Sequence, residues 1–125
     1  DLLPNGLKVK CFLDEDSVPS IAKAMATTRS AAAVELWRPF LEGAIVSIGN
    51  APTALFHLID MLDDPGCPRP AVIFGFPVGF VGAMESKAYL IEKDLGIPYI
   101  TITGRLGGSA LAAAAVNSVL LEAAK

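Results

Sequence analysis

The chain has 125 residues, 53% of them apolar and 18% charged, with a formal net charge of −3. This length supports one domain with a real core and is too short for two. The mild acidity offers nucleic acid no electrostatic footprint, and no apolar run reaches the ~18–20 residues of a membrane-spanning helix.

Leu7-Lys8-Val9-Lys10-Cys11-Phe12 alternates apolar and polar residues, like an edge strand with one solvated face. Asp16 or Ser17 can cap a helix running to about Ala26, with Pro19 tolerated in its first turn. Thr28, or Ser30 just after it, can cap a second helix ending near Glu42-Gly43, which Pro39 kinks or ends early. Ala44 to Ile48 reads as a short strand, and Ala54 to Leu62 as a helix with an apolar stripe at Leu55, Leu58, Ile59 and Leu62. Asp63-Asp64-Pro65-Gly66 stops it. Ala71 to Phe74 is a buried strand, Ala83 to Leu95 a helix with Gly96 as its left-handed cap, Tyr99 to Thr103 a strand, and Ser109 to Ala124 an alanine-rich helix. Three successive strand-to-helix units predict an α/β domain, a mostly parallel sheet covered by helices on both faces. With the first strand the sheet has four strands and two edges to protect, and the high apolar content favours self-association.

Cys11 and Cys67 match no metal or redox spacing. Cys11 is expected to be a buried thiol and Cys67 an exposed bystander in a Pro/Gly loop. No signal-peptide pattern opens the chain, so a reduced cytoplasmic protein is expected.

Three strand-to-helix junctions carry glycine and polar residues. Gly49-Asn50-Ala51-Pro52-Thr53 is either a tight turn with proline in the first helical turn or a ligand loop offering Asn50, Thr53 and helix amides. Gly75 to Lys87, GFPVGFVGAMESK, brings glycines and a proline before a Glu85-Ser86-Lys87 cluster. That cluster is either catalytic or an ordinary first helical turn with acid at the positive end of the dipole. Gly104-Arg105-Leu106-Gly107-Gly108-Ser109 repeats the scheme. Glycines there let backbone approach a ligand closely, and three such loops point to one shared cleft. Thr27-Thr28-Arg29-Ser30, ahead of another helix, is either a cap with a surface arginine or an anion site. Neither the G-x-G-x-x-G pattern nor a Walker loop is present, which weakens a nucleotide-binding reading. His57, mid-helix and with no partner placed by the sequence, reads as a surface or packing residue, and Trp37 as core or dimer interface.

Together these segments resemble the precorrin-8X methylmutase family. The matching stretches are Thr28-Arg29-Ser30-Ala31-Ala32-Ala33, Ile48 to Leu55, Gly75-Phe76-Pro77-Val78-Gly79-Phe80-Val81-Gly82-Ala83, Glu85-Ser86-Lys87, and Gly104-Arg105 with Gly107-Gly108-Ser109-Ala110 and Ala113 to Asn117. The resemblance covers nearly the whole chain. It implies a three-layer α/β/α fold and a cofactor-independent, metal-free isomerase working as a homodimer. It also implies a flat tetrapyrrole substrate ringed by carboxylates, whose methyl group moves from C11 to C12 of the corrin ring. By this resemblance Arg29 binds or polarises the substrate. Thr28, Ser30, Asn50, Thr53, Arg105 and Ser109 hold its rim, Pro77, Val78, Gly79, Phe80 and Gly82 form a wall against the ring, and Gly49, Gly107 and Gly108 are further substrate-binding positions. The family's catalytic histidine lies in an N-terminal segment, in a motif like His-Ala-Cys-Gly. No residue here matches it, so the chain resembles the C-terminal part of such an enzyme. The alternatives are a catalytically silent corrinoid-binding or assembly module and, more distantly, a nucleotide-binding α/β domain.

Overall fold

The computed structural model describes residues 15–79, 81–104 and 106–123. The predicted strand at Leu7–Phe12, with Cys11, lies outside them.

The elements in chain order are α1 (Val18–Ala24), α2 (Arg29–Glu35), a 3-10 turn (Arg38–Phe40), β1 (Ile45–Ile48), α3 (Pro52–Leu62), β2 (Val72–Gly75), α4 (Ala83–Lys93), β3 (Tyr99–Thr101) and α5 (Ser109–Ala123). Among the described residues the three strands form one parallel sheet in the order β1-β2-β3, with Ile45 opposite Val72 and Ile73 opposite Tyr99.

Alternation along the strands sorts the core into two layers. Val46, Ile48 and Ile73 face α3 and α4, where they pack with Leu55, Leu58, Ile59, Leu62 and Leu90. Phe74 and Phe76 face the other way and meet Ala112, with Val72, Ala115 and Val116 around them. The result is the expected three-layer α/β/α arrangement, with α5 the one helix against the second face among the described residues. Gly75 lets α3 and α4 close down on the first face. A Cβ there would stand 3.2 Å from Leu90 Cδ2 and 3.5 Å from Leu55 Cδ2. Helix α2 packs on α3, and α1 on α2, through a small cluster of Val18, Ala22, Ala32 and Ala33.

Several element ends differ from the sequence reading. Helix α2 stops at Glu35 rather than near Gly43. Pro39 has no amide hydrogen for a helical bond, so the chain tightens into the 3-10 turn instead. Helix α4 ends at Lys93, and Asp94 (φ +49°) takes the left-handed cap ahead of Gly96 (φ +74°). Pairing of β3 stops at Thr101, whose hydroxyl donates to Gly75 O at 2.6 Å. Cys67, expected to be exposed, is 3% exposed and belongs to the main core. The turn after α3 folds inward, with Cys67 N–H donating to Asp64 O at 3.0 Å. Arg69 reaches back to donate to Leu62 O at 2.7 Å. Burial pushes the Cys67 thiol above its ordinary pKa. Trp37 packs half-buried against the same core.

Leu55 is wholly buried between α4 and the sheet. Leu55→Ala is expected to cost about 2–5 kcal/mol of unfolding free energy, as large core truncations do. Val81→Ala, at a residue 89% exposed, should stay within about 0.5 kcal/mol. Urea midpoints at constant slope check both.

Candidate functional site

Parallel strands put all three strand-to-helix loops at one edge, and backbone bonds tie them together. Phe76 N–H donates to Ile48 O at 2.8 Å, Val78 N–H to Asn50 O at 3.3 Å, and Gly108 N–H to Phe76 O at 2.8 Å. The third loop rides directly over the second. A Cβ on Gly107 would lie 2.4 Å from both Phe76 O and Pro77 O, so only glycine fits. Gly82 caps α4 at φ +87°, and its hypothetical Cβ would stand 3.2 Å from Pro52 Cβ. The starts of α3 and α4 are therefore side by side.

The loop after β2 leads to the face covered by α4, and the loop after β3 to the face covered by α5. Adjacent loops diverging in this way open a crevice at the carboxyl edge of a parallel sheet. Lys87 reaches across it. The side chain is 1% exposed, and Nζ donates to Gly104 O at 3.0 Å and to Leu106 O. Burial pushes its pKa below the usual lysine value. The cluster Glu85-Ser86-Lys87 thus splits. Glu85 is exposed in the first turn of α4, Ser86 is buried with its hydroxyl donating to Ala83 O at 2.9 Å, and Lys87 braces the neighbouring loop.

A second feature flanks this edge. Thr28 caps α2, its hydroxyl accepting from Ala31 N–H at 3.1 Å, and shares a 2.8 Å hydrogen bond with the Thr53 hydroxyl in the first turn of α3. Two helix starts therefore lie together, with Arg29 exposed beside them and Ser30 half-buried. Below them Thr27, Ala31, Thr53, Phe56, His57 and Asp60 line an open groove of about 210 Å³. His57 Nε2 lies 3.4 Å from Glu35 Oε1, too poorly aligned for a hydrogen bond. Arg38 Nε donates to Glu35 Oε2 at 3.0 Å, and this bond holds the Glu35 carboxyl below its usual pKa. On the far side of the groove Tyr89 O–H donates to Asp60 at 2.6 Å, joining α4 to α3.

The structure therefore gathers Gly49, Asn50, Thr53, Thr28, Arg29, Gly82, Gly107 and Gly108 around one edge. The backbone of Ser109 opens α5 there. Val78 is exposed and Gly79 half-buried, but Pro77, expected on the wall, is buried beneath Gly107. Phe80 and Arg105 lie outside the described residues. The sequence reading missed the groove and the acid beside His57. Thr53, Phe56, His57 and Asp60 do recur at helical spacing on the side of α3 away from its apolar stripe, which is the signal that marks the groove. Among the described residues no three His, Cys, Asp or Glu side chains are grouped to hold a metal ion, and no helix is long and apolar enough to cross a membrane.

These features define an α/β domain of the kind that seats small molecules at the carboxyl edge of a parallel sheet. Residues 2–122 match the family model of precorrin-8X methylmutase, and the chain belongs to that family. It is 57% identical over 120 residues to the precorrin-8X methylmutase of Pseudomonas aeruginosa, covering 96% of this chain and 57% of that protein. It is 38% identical to the cobalt-precorrin-8 methylmutase of Methanocaldococcus jannaschii, covering 93% of this chain and 54% of that protein. The solved precorrin-8X methylmutase from Thermus thermophilus superposes with a TM-score of 0.74 at 40% identity, over 90% of this chain and 53% of that one. The chain thus spans little more than half the length of these relatives.

Gly107→Ala should destabilise the fold by about 1–3 kcal/mol, because backbone oxygens cannot step aside as side chains do. Thermal unfolding checks this. For Lys87 the sign follows from its lowered pKa: between that value and 10.5 the unfolded chain binds more protons than the folded one. Stability relative to Lys87→Met should therefore rise as pH climbs from neutrality toward 10.5. A flat or falling difference in melting temperature would refute the assignment.

Proposed function

We propose that this chain supplies the substrate-holding part of a methylmutase of cobalamin biosynthesis. The reaction moves a methyl group from C11 to C12 of the corrin ring of precorrin-8X or cobalt-precorrin-8. The observation that carries this reading is the 57% identity across 96% of the chain to a precorrin-8X methylmutase. The geometry of the carboxyl edge supports it independently.

The reaction is an isomerisation. One carbon–carbon bond to the methyl group breaks, another forms, and nothing is oxidised or reduced. The protein's task is to hold a large anionic ring in one orientation and keep water from it. In this reading the paired starts of α2 and α3, with Thr28, Ser30, Asn50 and Thr53, receive rim carboxylates, because helix N-termini and hydroxyls favour anions. Arg29, exposed and without an ion pair among the described residues, adds a two-pronged donor and polarises the ring. Gly49, Val78, Gly79, Phe80 and Gly82 meet the flat face, while Arg105, Gly107, Gly108 and Ser109 close the opposite rim. The chain's own residues are assigned binding rather than proton delivery. The groove of about 210 Å³ beside Thr53 is smaller than a drug-sized pocket, and in this reading it takes a peripheral group of the ring and not the ring itself. A cytoplasmic homodimer completes the reading. The exposed apolar residues Ile45, Ile100 and Ile102 along the sheet support self-association.

Hydrogenobyrinic acid, the metal-free product that the family resemblance implies, tests this directly by visible spectroscopy and calorimetry. Saturable binding is expected, and Arg29→Ala should weaken it by about 1.5–3 kcal/mol, the range for lost hydrogen bonds to charge. Unchanged affinity would sink the Arg29 assignment. Absence of binding by the folded chain would sink the cleft.

A further inference from the structure

Lys87 is unusual in what it leaves unneutralised. It is a buried cation that forms no ion pair with a carboxylate among the described residues. Its contacts are the carbonyl oxygens of Gly104 and Leu106, reached from 17 and 19 residues away. An apolar side chain would fill the same crevice without the penalty of desolvating an ammonium. Support of the loop alone therefore does not account for a lysine.

The direction of the carbonyls suggests what does. No peptide bond among the described residues is cis, and in a trans peptide C=O and N–H point opposite ways. Turning Leu106 O toward Lys87 turns the Gly107 N–H away from it. That amide has no partner among the described residues, and Gly107 itself is only half-buried. It cannot swing aside, because the residue is pressed against Phe76 O and Pro77 O and the next amide is bonded to Phe76 O. The peptide is further polarised by the ammonium on its oxygen, and the 15-residue helix α5 begins two residues later with its positive end at the same place.

We propose that Lys87 is a positioning residue that fixes and polarises the 106–107 peptide, so that the Gly107 amide receives one carboxylate of the ligand. The inference rests on the carboxylate-rimmed ligand of the proposed function and names the donor for one of its carboxylates.

The test compares hydrogenobyrinic acid with its neutral methyl ester, on the unaltered chain and on Lys87→Met. Lys87→Met should weaken binding of the acid by roughly tenfold or more, the scale of one hydrogen bond to charge, and leave binding of the ester unchanged. Equal losses for acid and ester would mean that Lys87 only supports the loop, and no loss for either would mean that the peptide does not contact a carboxylate; both overturn the proposal. A measurement on the unaltered chain needs no folded variant. The Gly107 amide proton should move downfield when the acid binds and stay in place with the ester, and an unmoved resonance on saturation with the acid overturns the proposal. If the unaltered chain binds neither compound, the reading of the cleft fails and takes this inference with it. If it binds both and Lys87→Met weakens both equally, the inference alone fails.

Discussion

The backbone of one residue holds the carboxyl edge together. Phe76 lies just past the end of β2, and its N–H donates to the last residue of β1 while its carbonyl accepts from Gly108. All three loops are thereby registered on the two peptide groups that flank this one residue, beyond the point where the sheet formally ends. Its side chain is anchored under α5, so the hub cannot drift. Glycine at 107 follows from this. With two carbonyls of the second loop only 2.4 Å from where its Cβ would sit, the third loop can lie that close only if it carries no side chain there.

The remaining parts of the edge are set by what the core allows. Among the described residues the strand order does not reverse, and the crevice arises where the chain passes to the opposite face after β3. Helices α3 and α4 share one face, and their starts are brought together through Gly82 and Pro52. Helix α2 is not part of the strand–helix alternation. The cluster of alanines between it and α1 lets the short helices pack closely, and the Thr28–Thr53 hydrogen bond sets its start against that of α3.

Much of this was legible in the sequence because it is local. Apolar runs of four or five residues ahead of glycine marked β1 and β2, and Thr28 was recognisable as a cap because its hydroxyl serves an amide three residues on. The stripe of α3 from Leu55 to Leu62 and its burial agree, since a helix of this length shows its period clearly. What was not legible depends on partners distant along the chain. Lys87 looks like any first-turn lysine until Gly104 and Leu106 arrive. His57 had no visible acid because Glu35 lies on another helix. Pro77 was placed on a wall although the third loop covers it, and no periodicity encodes one loop crossing another. Element ends slipped by a few residues where backbone geometry, not side-chain pattern, decided them, as at Asp94.

The inward fold of the turn after α3 bears on chemical durability. Only a thiolate attacks peroxides and alkylating reagents readily. The Cys67 sulfur is both shielded and, through burial, reluctant to ionise. This turn therefore carries a cysteine that is chemically quiet while the fold is intact, and its alkylation would report unfolding of the core around it.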